Sequence, residues 1–138
     1  MENIKDELQD YSCIVRNKGV ERVFTRRGVI DLFEVLRDEP ELLRGATIID
    51  KVIGKGAAAL MVLGGVSEVK TPLLSEDALR VLRQAGVKVE YEQVVPHIIN
   101  RTQTDMCPLE KRCQASDTPA ELLPVIAQFI EDMKAKSN

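Results

Sequence analysis

Residue types able to do chemistry gather at three places in this 138-residue sequence. The first is Gly54-Lys55-Gly56, which opens the run Ala57-Ala58-Ala59-Leu60-Met61-Val62-Leu63. That run is rich in strong helix formers and stops at Gly64-Gly65, so it predicts a helix whose first N–H groups lack intrahelical acceptors. No Ser, Thr, Asp or Asn stands immediately before it as a cap. An anion there would gain from the open donors and the helix dipole, with Lys51 and Lys55 adding charge. The plainer alternative is a glycine turn capped by water, with Lys55 solvated. The segment is not a P-loop, because Gly56 stands where Ser or Thr must follow Gly-Lys. The second place is Cys107, followed by Pro108, Glu110, Lys111 and Arg112, with Arg101 close in sequence. A thiol at the start of a helical turn among cations has its pKa lowered, which makes Cys107 the candidate catalytic nucleophile or redox thiol; an ordinary loop thiol is the alternative. The third is the set His97, Cys107, Cys113 and Cys13. No Cys-x-x-Cys or His-x-x-x-His spacing supports it, so neither a metal site nor a cofactor is expected. His97, the only histidine, reads as a hydrogen-bonded packing residue, with Asn100 and Arg101 beside it as polar types suited to a pocket.

These residues need elements to hold them. Ile4 and Leu8 sit at helical spacing in a short terminal segment and predict a frayed helix docked by those two side chains. Cys13-Ile14-Val15-Arg16 and Val20 to Thr25, joined by Asn17-Lys18-Gly19, predict a hairpin with Cys13 on its core face. Val29, Leu32, Phe33 and Leu36 predict a helix that ends at Glu39-Pro40. Ala46 to Ile53 is a strand in its first half, and the helix after Gly54, apolar all round, must be buried. A short strand over Glu68 to Thr71 follows, then a helix capped by Ser75 and closed by Gly86, then a strand through Val87, Val89 and Tyr91. This alternation implies crossovers and a largely parallel sheet from residue 46 onward. Residues 100–117 read as a long loop with a helical turn after Cys107, a length that often carries function. Thr118-Pro119-Ala120-Glu121 reads as a capping box for a last helix burying Leu122, Ile126, Phe129, Ile130 and Met133, kinked or restarted at Pro124.

One domain over residues 1–138 suits a chain with 44% apolar and 30% charged residues. The net charge of −3 argues against broad nucleic-acid binding, which is driven by Lys and Arg releasing phosphate counterions. No apolar run approaches the roughly eighteen residues of a membrane span, and the first residues are polar and acidic where a signal peptide would be basic and then apolar. A cytoplasmic protein is expected, with no membrane partner and with its three cysteines as thiols.

The order of elements, and the segment Thr71-Pro72-Leu73-Leu74-Ser75-Glu76-Asp77-Ala78-Leu79 leading to Ala85-Gly86-Val87, resemble the cytidine deaminase-like fold. That resemblance implies an α/β fold, a three-layer α-β-α sandwich on a five-stranded mixed sheet. In deaminases two cysteines of a Pro-Cys-x-x-Cys motif and a His or Cys on the preceding buried helix hold zinc, and a nearby Glu shuttles protons. Leu73 and Glu76 stand at the two cysteine positions, and no His, Cys, Asp or Glu lies between Lys51 and Ser67. Zinc-dependent deamination is therefore excluded. Asp50-Lys51-Val52-Ile53-Gly54-Lys55-Gly56, Val94-Val95-Pro96-His97-Ile98-Ile99-Asn100-Arg101 and Cys107-Pro108-Leu109-Glu110 resemble the bacterial family catalogued as domain of unknown function 1893. In the deaminase-like fold the helix end at Gly54 faces the substrate pocket. The leading expectation is thus a small-molecule binding domain, holding a phosphate-bearing or nucleotide-like ligand through Lys51, Gly54, Lys55, Gly56, Asn100 and Arg101 in a zinc-free pocket. The alternatives are a cysteine-dependent enzyme using Cys107 and a non-catalytic interaction or oligomerisation subunit, a homo-oligomer included.

Overall fold

A computed structural model describes residues 3–26, 28–100 and 104–136. Strands β1 (Cys13–Asn17) and β2 (Val20–Phe24) form the expected hairpin, with Cys13 opposite Phe24 and Asn17 opposite Val20. Its two-residue turn places Lys18 at φ 48° and Gly19 at φ 82°, the paired positive angles whose twist matches that of the flanking strands. Strand β3 (Thr47–Asp50) pairs antiparallel with β1, while β4 (Glu68–Ser75) and β5 (Lys88–Val95) continue the sheet in parallel. The resulting five-stranded mixed sheet has the order β2-β1-β3-β4-β5.

Seven α-helices accompany the sheet among the described residues: α1 (Ile4–Leu8), α2 (Ile30–Asp38), α3 (Pro40–Leu43), α4 (Lys55–Gly64), α5 (Glu76–Gln84), α6 (Pro108–Arg112) and α7 (Pro119–Lys136). Strand alternation sorts the core into two unequal parts. Cys13, Val15, Ile48 and Val69 face the large cluster built with Leu32 and Val35 of α2, most of α4, Val81 and Leu82 of α5, and Leu122, Ile126 and Ile130 of α7. Ile14 and Ile49 face the other way and, among the described residues, form a second buried cluster with Ile4 and Leu8, with Tyr11 against them. Among the described residues the sheet thus carries one full helical layer and, on the opposite face, the five-residue α1.

Helix α4 is buried from Lys55 through Met61, as its apolar composition requires. Gly65 ends it at φ 79°, its N–H donating to carbonyls of the last turn. The helix runs from the C-terminal end of β3, and α5 follows directly from β4, so both N-termini lie at one end of the parallel strands. Ser75 caps α5, its Oγ accepting from Ala78 N–H at 3.1 Å.

Three local expectations need correction. Strand β4 runs on past Thr71 through Pro72 to Ser75. On one side it pairs with β3 as far as Lys70 and is met again by Ile53, whose N–H donates to Leu73 O at 3.0 Å and whose O accepts from Ser75 N–H at 3.1 Å; on the other, its pairing with β5 skips Pro72, which has no N–H to give. The capping box at Thr118 is relayed: Thr118 N–H donates to Ser116 Oγ at 3.0 Å, and Ser116 Oγ donates to Glu121 at 2.8 Å. Helix α7 starts at Pro119 and passes through Pro124 without a restart, and Met133 on it is exposed.

Candidate functional site

The first turn of α4 is capped from 55 residues away in sequence. Glu110, on α6, is 2% exposed. Its Oε1 accepts from Lys55 N–H at 2.8 Å and its Oε2 from Ile98 N–H at 2.7 Å. The helix was expected to lack a local cap, and what answers these donors is the chain's own carboxyl group. Gly54 is part of the reason it fits, since a Cβ there would lie 3.3 Å from Glu110 Oε1 and 3.4 Å from Ile98 Cγ1. Within the helix the first bond is Ala58 N–H to Gly54 O at 3.0 Å. Among the described residues, nothing accepts from the buried N–H groups of Gly56 and Ala57.

Lys55 departs from the picture of a cation that swings toward a ligand. It is 2% exposed, and its Nζ lies 2.7 Å from Asp117 Oδ1. Asp117 also accepts from Arg80 at 2.8 Å; Lys55 first and Arg80 second hold its carboxyl below the usual carboxylate range. Arg80 reaches Asp77 at 3.0 Å, and Gln114 donates both to Asp77 at 2.9 Å and to Glu110 O at 3.2 Å. Burial pushes the Asp77 carboxyl up, but Gln114, Arg80 and Lys55 together bring it below its ordinary value. One polar network thus ties α4, α5, α6 and the entry to α7. Gly56, expected among the ligand-binding residues, is packed under Leu109: a Cβ there would stand 2.8 Å from Leu109 Cδ2.

The remaining expected residues are more scattered. Lys51 is exposed on the turn after β3. Asn100 holds its own loop, exchanging hydrogen bonds with Thr104 at 3.1 and 3.2 Å while its N–H donates to Asp105 O at 2.9 Å. Arg101 lies outside the described residues. His97 was expected to be hydrogen-bonded, yet its buried Nδ1 has no partner among the described residues. Cys107, half-buried, is the N-cap of α6, and its N–H donates to Ile98 O at 2.8 Å. No described His or carboxylate hydrogen-bonds to its thiol. Sequence reasoning passed over Glu110, Asp117 and Arg80 as site residues. Only the position of Glu110 three places after Cys107 had drawn attention, and nothing local links it to Gly54.

No group of three or more His, Cys, Asp or Glu is placed to hold a metal ion among the described residues. An apolar groove of about 430 Å³ lies between α2 and α7, lined by Phe33, Leu36, Arg37, Leu123, Pro124 and Ala127, away from the α4 N-terminus. No described helix is long and apolar enough to cross a membrane.

Comparison with known proteins places this arrangement among relatives of unassigned activity. A family model described as TM1506, domain of unknown function (DUF1893), matches residues 3–130. No curated protein matches the chain. The crystal structure of a DUF1893 family protein, TM1506 from Thermotoga maritima, superposes with a TM-score of 0.80 at 24% identity, covering 88% of this chain and 82% of that one. At that identity the likeness speaks for the fold alone.

Proposed function

The chain belongs to the DUF1893 family, and from that premise we propose that it is a cytoplasmic small-molecule binding domain for a phosphate-bearing or nucleotide-like ligand. The site is the α4 N-terminus, in a zinc-free pocket of the cytidine deaminase-like kind that α6 covers. The observation that carries this reading is Glu110: two main-chain N–H groups from separate segments converge on one buried oxyanion. Phosphate oxygens ask for the same geometry. The buried N–H groups of Gly56 and Ala57 lie one and two residues further along, under Leu109. A ligand would displace Glu110 and Leu109 and gain those donors, with the exposed Lys51 as a further cation. The alternatives have less behind them. Cys107 has no base among its described partners, and the α2–α7 groove lacks the polar anchors that fix a specific small ligand.

Isothermal titration of the full chain with inorganic phosphate, ADP and ATP tests the proposal, with Glu110→Gln and Gly56→Val beside the wild type. Glu110→Gln keeps the shape and removes the competing charge. A charge-assisted hydrogen bond contributes about 1.5–3 kcal/mol, so this variant should bind roughly ten-fold or more tightly than wild type. Gly56→Val should bind nothing. Absence of heat from all three probes with both wild type and Glu110→Gln would refute the assignment.

A further inference from the structure

Cys107 and Cys113 bracket α6 as its N-cap and C-cap, and both are thiols. Six helical steps hold their Cα atoms about 9 Å or more apart, whereas a disulfide needs a Cα separation of roughly 4.4–6.8 Å. The bond is thus incompatible with a formed α6. That helix carries Leu109 over Gly56 and Glu110 onto the N–H groups of Lys55 and Ile98. Cys113 is fully buried, its Sγ 3.5 Å from where a Cβ on Gly56 would stand. Burial first, and Glu110 second, pushes its thiol up to about 11, which keeps it unreactive while the cover is in place. Cys107 is the more exposed of the pair. A five-residue helix has little stability of its own, so its seating depends on Leu109, Glu110 and Cys113.

We propose that α6 is a redox-gated cover, in which a peroxide converts Cys107 and Cys113 to a disulfide that can exist only with α6 unwound and Glu110 withdrawn from α4. The Cys107 thiolate attacks the O–O bond, forming a sulfenic acid and releasing water that carries the thiol proton. As α6 frays, the Cys113 thiolate attacks Cys107 Sγ; the S–O bond breaks, and hydroxide leaves as water with the Cys113 proton. Two thiols and one hydrogen peroxide give one disulfide and two waters, and a dithiol reductant reverses the change. The effect of the gate on ligand binding rests on the function proposed above; the thiol chemistry does not.

The test treats the full chain with hydrogen peroxide, then combines non-reducing peptide mapping with amide hydrogen exchange. The expected product is a Cys107–Cys113 cross-link within one chain, together with at least ten-fold faster exchange at the amides of Lys55 and Ile98. Dithiothreitol should restore both. Cys107→Ser and Cys113→Ser should each abolish the cross-link and the faster exchange. The gate is overturned if peroxide carries Cys107 to the sulfinic acid while Cys113 stays a thiol, if the bond forms only between chains, or if it forms with exchange at Lys55 and Ile98 unchanged. Phosphate titration of the oxidised chain is a separate arm. Faster exchange without phosphate binding would uphold the gate and count against the proposed ligand.

Discussion

Asp50 closes β3, and burial pushes its carboxyl up to about 7 against the pull of the nearby Val52 and Lys51 N–H groups, the second of which donates to Ser12 O at 3.0 Å. It lies opposite Cys13, whose thiol is raised by burial first and by Asp50 and Asp31 after it. The folded chain holds the Asp50 proton more tightly than the unfolded chain, where the carboxyl has its ordinary value of 3.8. Its contribution to stability is therefore complete below about pH 4 and is lost as pH rises through about 7. Asp38, Asp105, Asp117 and Asp132 are shifted the other way by their cationic or hydrogen-bonded partners, so their contributions are present above about pH 4 and fade below it. Urea denaturation between pH 5 and 8 spans the Asp50 titration, and the midpoint should fall across that range. Asp50→Asn should flatten the dependence and stabilise the chain at pH 8 by on the order of 1–3 kcal/mol. A wild-type midpoint that rises with pH would contradict this.

Helix α4 is buried along most of its length, and its two ends show different tolerances. Gly64 packs on α3: a Cβ there would lie 2.7 Å from Leu43 Cβ and 2.7 Å from Leu43 Cδ1. Leu43 Cβ is fixed to the backbone and cannot yield, so Gly64→Ala should overpack by about 1–3 kcal/mol. That exceeds the roughly 1 kcal/mol gained by replacing a helical glycine. A lower thermal midpoint for Gly64→Ala is expected, and an equal or higher one would remove this contact as a constraint. At the other end, the atom nearest a Cβ on Gly56 is the tip of the Leu109 side chain, at 2.8 Å, and it can turn aside at less cost. Elements whose signals are local were legible: Ser75 as a cap, Lys18-Gly19 as a turn, Gly65 as a stop. The route of β4 through Pro72 was not, because it depends on Ile53 and β5 meeting the strand on either side of that proline.

For the whole molecule, the unequal coverage of the sheet has a measurable consequence. On the face opposite the main helical layer, Ile14 and Ile49 are sealed by Ile4 and Leu8 of a helix only five residues long. That helix also reaches the sheet through Glu7, which lies 3.5 Å from Arg16, an exposed pair of small effect. Leu8 is 2% exposed, and Leu8→Ala should cost about 2–4 kcal/mol. Because Ile14 and Ile49 would then be opened to solvent, the variant should also bind a hydrophobic dye below its unfolding midpoint. A loss under about 0.5 kcal/mol in urea denaturation would mean that α1 contributes little to the seal.

Hydrophobic period and turn chemistry are properties of neighbouring residues, so the sequence by itself determined an α/β chain with a hairpin, a parallel half and a buried helix after Gly54. It also determined that this helix starts without a local cap, since the residue types before Lys55 cannot supply one. What answers those donors was decided by tertiary structure, because Glu110 reaches Lys55 N–H only after α6 folds back across 55 residues of chain. The same closure turned Lys55 from a candidate ligand contact into a buried partner of Asp117, and Gly56 from an open approach into a seat for Leu109. Neither pairing has a sequence spacing to announce it, since a contact between distant residues depends on where the sheet sets their elements and not on the residues between them.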